Sequence, residues 1–199
     1  AEQPGVWVSG FFGSGKSHLV KLLQHLWIDY EFPDKAKARG LAKLPEKVRE
    51  LLAELTNRAK RYGGLHAAAG TLGAGGGDSV RLEVMRIIFT SVGLPEHYSR
   101  ANFVMWLTQE GIEASVRSHI EQAGKDYQTA VDNLFVSVEM ATALLAVRPS
   151  FAPSLADVGV LLEKQFPDKT DISIDDMVKA AKRAVARDGK TPCTLLVLD

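Results

Sequence analysis

The stretch GFFGSGKS, Gly10 to Ser17, constrains this chain more than any other part of it. Its G-x-x-x-x-G-K-S spacing is that of a loop that curls its backbone around a phosphate, and it sits where such a loop has to sit. Val6, Trp7 and Val8 form a short apolar run before it, read as a strand, and Leu19, Leu22, Leu23 and Leu26 recur at helical intervals after it. Gly13 and Gly15 can reach backbone angles closed to residues with a side chain, so that successive N–H groups turn inward. The helix opening near Gly15 adds its positive end to the same point.

Lys16 is placed to reach the β- and γ-phosphate oxygens of a nucleotide, where its ammonium neutralises charge as it shifts toward the leaving group. Ser17 offers a hydroxyl to Mg²⁺. The whole loop, Gly10, Phe11, Phe12, Gly13, Ser14, Gly15, Lys16 and Ser17, is expected to line the nucleotide, which is ATP or a related triphosphate. His18 follows it in the helix, near enough to approach the nucleotide or simply to sit on the helix surface. A second element closes the chain: Leu195 to Leu198 form an apolar strand pattern ending in Asp199. P-loop enzymes place a carboxylate at the end of such a strand to face the Mg²⁺, so Ser17 and Asp199 are the expected metal residues and Lys16 the expected catalytic one.

These elements predict an α/β fold in which part of a parallel P-loop sheet carries a large all-helical insertion. Residues 1–70 read as the first part of the core, 71–172 as the insertion, and 173–199 as a helix and strand returning to the core. Within the first segment, Pro45 opens a helix with Val48, Leu51, Leu52, Leu55, Ala59 and Tyr62 on one stripe, stopped by Gly63 and Gly64. LHAAAG, 65 to 70, reads as a short buried strand. GTLGAGGGDS is read as a flexible connection ahead of a helix that Asp78 or Ser79 can cap. From Pro95 to about Phe166, short amphipathic helices are broken by Gly111, Gly124, Pro149 and Pro153. Ser173 can cap the next helix, with Asp175 and Asp176 in its first turn. TPCTLLVLD is expected to be a fully buried strand.

Composition narrows the function classes. The chain has 199 residues, 46% hydrophobic and 24% charged, the balance of a globular domain. Lys plus Arg and Asp plus Glu number 24 each, so no net basic field draws it to nucleic acid or an anionic membrane, and DNA contact would need a local patch. The single cysteine, Cys193, excludes an internal disulfide and a multi-cysteine zinc site. No apolar run approaches the length of a spanning helix, and a cytoplasmic compartment is expected. The chain begins without methionine and stops on a strand pattern, so it reads as an internal piece of a longer polypeptide. His66 has no ligand at metal spacing. Phe103, Val104, Trp106 and Leu107 read as core rather than a base-stacking platform. Arg81, Arg86, Arg100 and Arg117 are scattered candidates for an arginine finger, none singled out.

GVWVSGFFGSGKSHLVKLL is similar to the start of the large P-loop ATPase of the BREX and phage growth limitation systems, the BrxC/PglY family. The resemblance continues through AAAGTLGAG, SVRLEVMRIIF, ANFVMWL, QFPDKTDISIDDMV and GKTPCTLLVLD, closer to the PglY branch. It implies the N-terminal part of an ATPase core, with Gly10, Gly13, Gly15, Lys16 and Ser17 for nucleotide and magnesium, and Asp199 on the metal-coordinating strand. It also implies hydrolysis of ATP to ADP and phosphate, with the catalytic Glu expected after Asp199, the sensors and any arginine finger outside this chain. The role implied is an ATP-driven component of a bacterial phage-defence assembly, a homo-oligomer working with a DNA methyltransferase and associated factors. Two other readings of the residues remain open: a nucleotide-gated scaffold that does not hydrolyse, and a P-loop phosphotransferase, for which no arginine-rich lid is visible.

Overall fold

A computed structural model describes residues 5–9, 11, 13, 15–73 and 79–198. The protein is mixed α/β and mostly helical, with one two-stranded parallel sheet among the described residues. It divides into two compact units, Ala1–Leu72 with Val185–Asp199, and Gly73–Ala184.

The first unit contains α1 (Lys16–Ile28), the single-turn α2 (Ala38–Leu41), α3 (Glu46–Ala59) with a 3₁₀ turn at Lys60–Tyr62, and strands β1 (Leu65–Gly70) and β2 (Cys193–Leu198). The strands run parallel in register from Leu65 opposite Cys193 to Gly70 opposite Leu198. α1 packs on both of them, and Trp27 Nε1 donates to the Cys193 carbonyl at 3.2 Å. α1 stops where Asp29 turns left-handed at φ 52°, and the 3₁₀ turn stops at Gly63, φ 88°. Gly63 is required twice over, because a Cβ there would also lie 3.2 Å from Lys190 Cβ. Pro45 stands at the N-cap of α3, one position outside the first turn where the sequence places it.

Two expectations are corrected in this unit. Residues 5–9 form no strand, and Val6 and Trp7 are 86% and 91% exposed. A strand exists only through a neighbour that takes up its N–H and C=O groups, and β1 and β2 pair with each other instead of with Val6–Val8. The second concerns β2, which is not fully buried. Leu196 and Leu198 are exposed on one face while Val197 is buried on the other. An apolar run in a parallel strand is buried throughout only when both faces are covered, and here one face is open.

The second unit contains α4 (Val80–Ser91), α5 (Tyr98–Gln109), α6 (Glu113–Gln122), α7 (Tyr127–Asp132), α8 (Val138–Val147), α9 (Leu155–Gln165) and α10 (Ile174–Val185). Short polar caps begin several of them: Ser79 Oγ accepts from Leu82 N at 3.3 Å, Asp126 Oδ1 from Thr129 N at 2.7 Å, and Ser173 Oγ from Asp176 N at 3.1 Å. Gly111 and Gly124, at φ 71° and 72°, end α5 and α6 as the sequence expects. Phe103, Leu107, Val116, Ile120, Leu144, Val158 and Leu162 form the core, so the 103–107 stripe is packing rather than a platform. Phe166 meets Phe103 edge to face at 5.6 Å. α10 falls with these helices up to Ala184, whereas the sequence division at 173 put it with the terminal strand. Arg183 Nη2 donates to Asn102 Oδ1 of α5, and Ala180 is buried, which is what ties the helix there.

Candidate phosphate site

The glycine loop ends on α1, so the first residues of that helix are Lys16, Ser17 and His18. Gly15 is the N-cap in the left-handed region, φ 81° and ψ 16°, with the first intrahelical bond running from Leu19 N to Gly15 O at 2.9 Å. Gly13 is also left-handed, φ 80°. Among the described residues, the chain neighbours apart, no atom lies within 4 Å of a Cβ built at either glycine. Glycine is therefore demanded at both by backbone conformation and not by crowding.

Lys16 Nζ donates to the Phe11 carbonyl at 2.9 Å. The ammonium is thus folded over its own loop at the positive end of the α1 dipole, two sources of positive potential at one place. Ser17 and His18 are exposed on the first turn. Gly10, Phe12, Ser14 and Asp199 lie outside the described residues, as does the glycine run at 74–78. β2 ends at Leu198, one residue before Asp199. Among the described residues no group of three or more His, Cys, Asp or Glu is arranged to hold a metal. One hydroxyl and one carboxylate suit Mg²⁺ all the same, since that ion keeps waters and takes phosphate oxygens for most of its shell.

Other candidate residues resolve clearly. His66 is 5% exposed in β1 with Arg187 Nη2 3.5 Å from its Nδ1. Burial first, and the Arg187 charge second, hold its pKa below the ordinary imidazole value, which disfavours any protonated role. The four scattered arginines are all engaged: Arg81 pairs with Asp171, Arg86 with Glu83, Arg100 with Asp168 and Arg117 with Glu113. A cavity of about 420 Å³ in the helical unit is lined by two of these pairs, with charge matched inside it.

The residue the sequence did not reveal is Arg39. It stands in EFPDKAKARG, which reads only as a polar connection, yet its guanidinium donates to the Leu26, Trp27 and Leu52 carbonyls and to Thr56 Oγ1 at 2.6–3.0 Å. Its backbone N–H donates to Asp29 Oδ1 at 3.0 Å. Burial lowers the guanidinium pKa and Asp29 opposes that. No spacing rule marks an arginine whose acceptors are three main-chain carbonyls and one hydroxyl on two different helices.

Among the described residues no helix is long and apolar enough to cross a membrane. No family model matches the chain, and no solved structure is significantly similar to it.

Proposed function

We propose that this chain binds Mg-ATP at the Gly10–Ser17 loop and belongs to an ATPase that couples nucleotide binding and hydrolysis to conformational change or assembly in bacterial phage defence. One observation carries the nucleotide reading: Lys16 Nζ lies 2.9 Å from the Phe11 carbonyl, at the N-terminus of a helix entered through left-handed Gly13 and Gly15. That is a cation held over a turn whose glycines let main-chain N–H groups converge. Parallel β1 and β2, with α1 packed on both, support the reading by supplying a strand that ends at Leu198, the residue before Asp199 in the sequence.

In this reading Lys16 binds the β- and γ-phosphates, the loop orients them, and Ser17 and Asp199 hold the magnesium. The bound metal would supply charge neutralisation at the phosphates. The defence role, the methyltransferase partner and homo-oligomerisation rest on the sequence resemblance.

The test is Mg-ATP binding and turnover by the protein beside Lys16→Ala. Turnover lost in the variant supports the ATPase. Binding without turnover in the wild type moves the reading to a nucleotide-gated scaffold, and a wild type that binds no nucleotide refutes it.

A further inference from the structure

The helix that carries Lys16 and Ser17 packs on β1 and β2, and its residues grow more buried toward its C-terminal end. Leu19, Leu22 and Leu23 are 52%, 42% and 44% exposed, and Leu26, in the last turn, is the buried residue of α1. Side-chain burial in this helix is therefore concentrated at its C-terminal end. A helix of 13 residues spans about 20 Å, so any looseness at the far end is carried to Lys16 by a rigid rod.

The far end is secured by polar contacts. Arg39 Nε takes the Leu26 carbonyl at 2.7 Å and Nη2 the Trp27 carbonyl at 2.6 Å, both in the last turn of α1. Its Nη1 takes the Leu52 carbonyl at 3.0 Å and Thr56 Oγ1 at 2.7 Å, both on α3. Thr56 Oγ1 in turn donates to the Leu52 carbonyl at 3.0 Å, which fixes the hydroxyl as acceptor for the guanidinium. Asp29, just past α1, accepts the Arg39 backbone N–H. A planar guanidinium with diverging donors suits such a junction, and a lysine ammonium cannot span it in the same geometry.

We propose that Arg39 is a positioning residue for the phosphate site: by clamping the last turn of α1 to α3 it sets where Lys16 and Ser17 stand. This rests on the nucleotide reading above. A helix displaced by about 1 Å is enough to cost a large factor in a site that depends on placed groups.

The experiment measures affinity for a fluorescent Mg-ATP analogue, well below the unfolding temperature, in the wild type, Arg39→Met, Arg39→Lys, Thr56→Val and Leu55→Ala. Leu55 is a half-buried α3 residue that makes none of these contacts, so Leu55→Ala is the control for lost stability alone. Arg39→Met is expected to weaken binding about tenfold, Arg39→Lys and Thr56→Val by less, and Leu55→Ala not at all. If Arg39→Met fails to fold, Thr56→Val against Leu55→Ala decides the matter. Equal affinity in wild type, Thr56→Val and Arg39→Met overturns the clamp while leaving the nucleotide reading intact. A loss of binding in Leu55→Ala that matches the Arg39 variants also overturns it, since stability alone would then account for the effect. A wild type that does not bind takes down both.

Discussion

Gly159 lies in the middle of α9 and looks like a flaw, because glycine in a helix interior costs about 1 kcal/mol relative to alanine. Replacement by alanine would ordinarily stabilise the helix by that amount. The structure reverses the sign. A Cβ at Gly159 would stand 2.2 Å from the Phe135 carbonyl oxygen and 3.3 Å from its carbon, in the segment between α7 and α8. Ordinary carbon-to-oxygen contacts fall at about 3.3–3.6 Å, so α9 or the Phe135 backbone has to move by about 1 Å. Neither can do so cheaply, since Val158 beside the glycine and Leu134 beside Phe135 are both core residues with almost no exposure. A 2.2 Å contact with main-chain atoms belongs in the upper half of the range for overpacking, about 2–3 kcal/mol, which outweighs the propensity gain and leaves a net loss of about 1–2 kcal/mol for Gly159→Ala. For a unit the size of Gly73–Ala184, that is a fall in Tm of about 4–8 °C. Thermal unfolding followed by far-ultraviolet circular dichroism reads it directly. A Gly159→Ala variant as stable as the wild type, or more so, would show that the close approach is not a feature of the folded protein.

Gly15→Ala tests the loop differently: with φ at 81° the penalty is conformational, about 1–2 kcal/mol, and Mg-ATP affinity should fall about tenfold, with a fall in Tm beside it. Leu162→Ala removes a side chain with no exposure from the helical core and should cost about 2–5 kcal/mol in urea unfolding. His66 predicts an acid-sensitive first unit. Its folded pKa is held below 6.5 by burial and by Arg187, so the unfolded chain takes up a proton that the folded one refuses, and stability falls as pH drops below about 6.5 and is level above it. Urea midpoints at pH 7.5 and 5.5 should converge in His66→Gln relative to the wild type; an unchanged gap would remove His66 as the cause.

The parts of this protein that were legible in its sequence are those decided within a few residues. Ser79 and Ser173 cap their helices because a short oxygen side chain reaches an N–H three positions on, and Gly13 and Gly15 turn left-handed because the loop that delivers Lys16 needs them to. What stayed hidden is decided between segments far apart in the chain. Val6–Val8 has the composition of a strand, but a strand is a property of a pair, and nothing in three residues says whether a partner is present. α10 has the same amphipathic pattern wherever it docks, and one of the contacts that hold it, Arg183 with Asn102, joins residues 81 positions apart. Gly159 and Arg39 are the sharper cases. Main-chain carbonyls are the contact at Gly159, Phe135 O, and three of the four guanidinium acceptors at Arg39, Leu26, Trp27 and Leu52 O, and every residue type presents the same carbonyl. A contact whose acceptor carries no side-chain identity leaves no mark on the partner's sequence. The motif therefore names the groups that would touch a phosphate, while the groups that hold them in place have to be read from the fold.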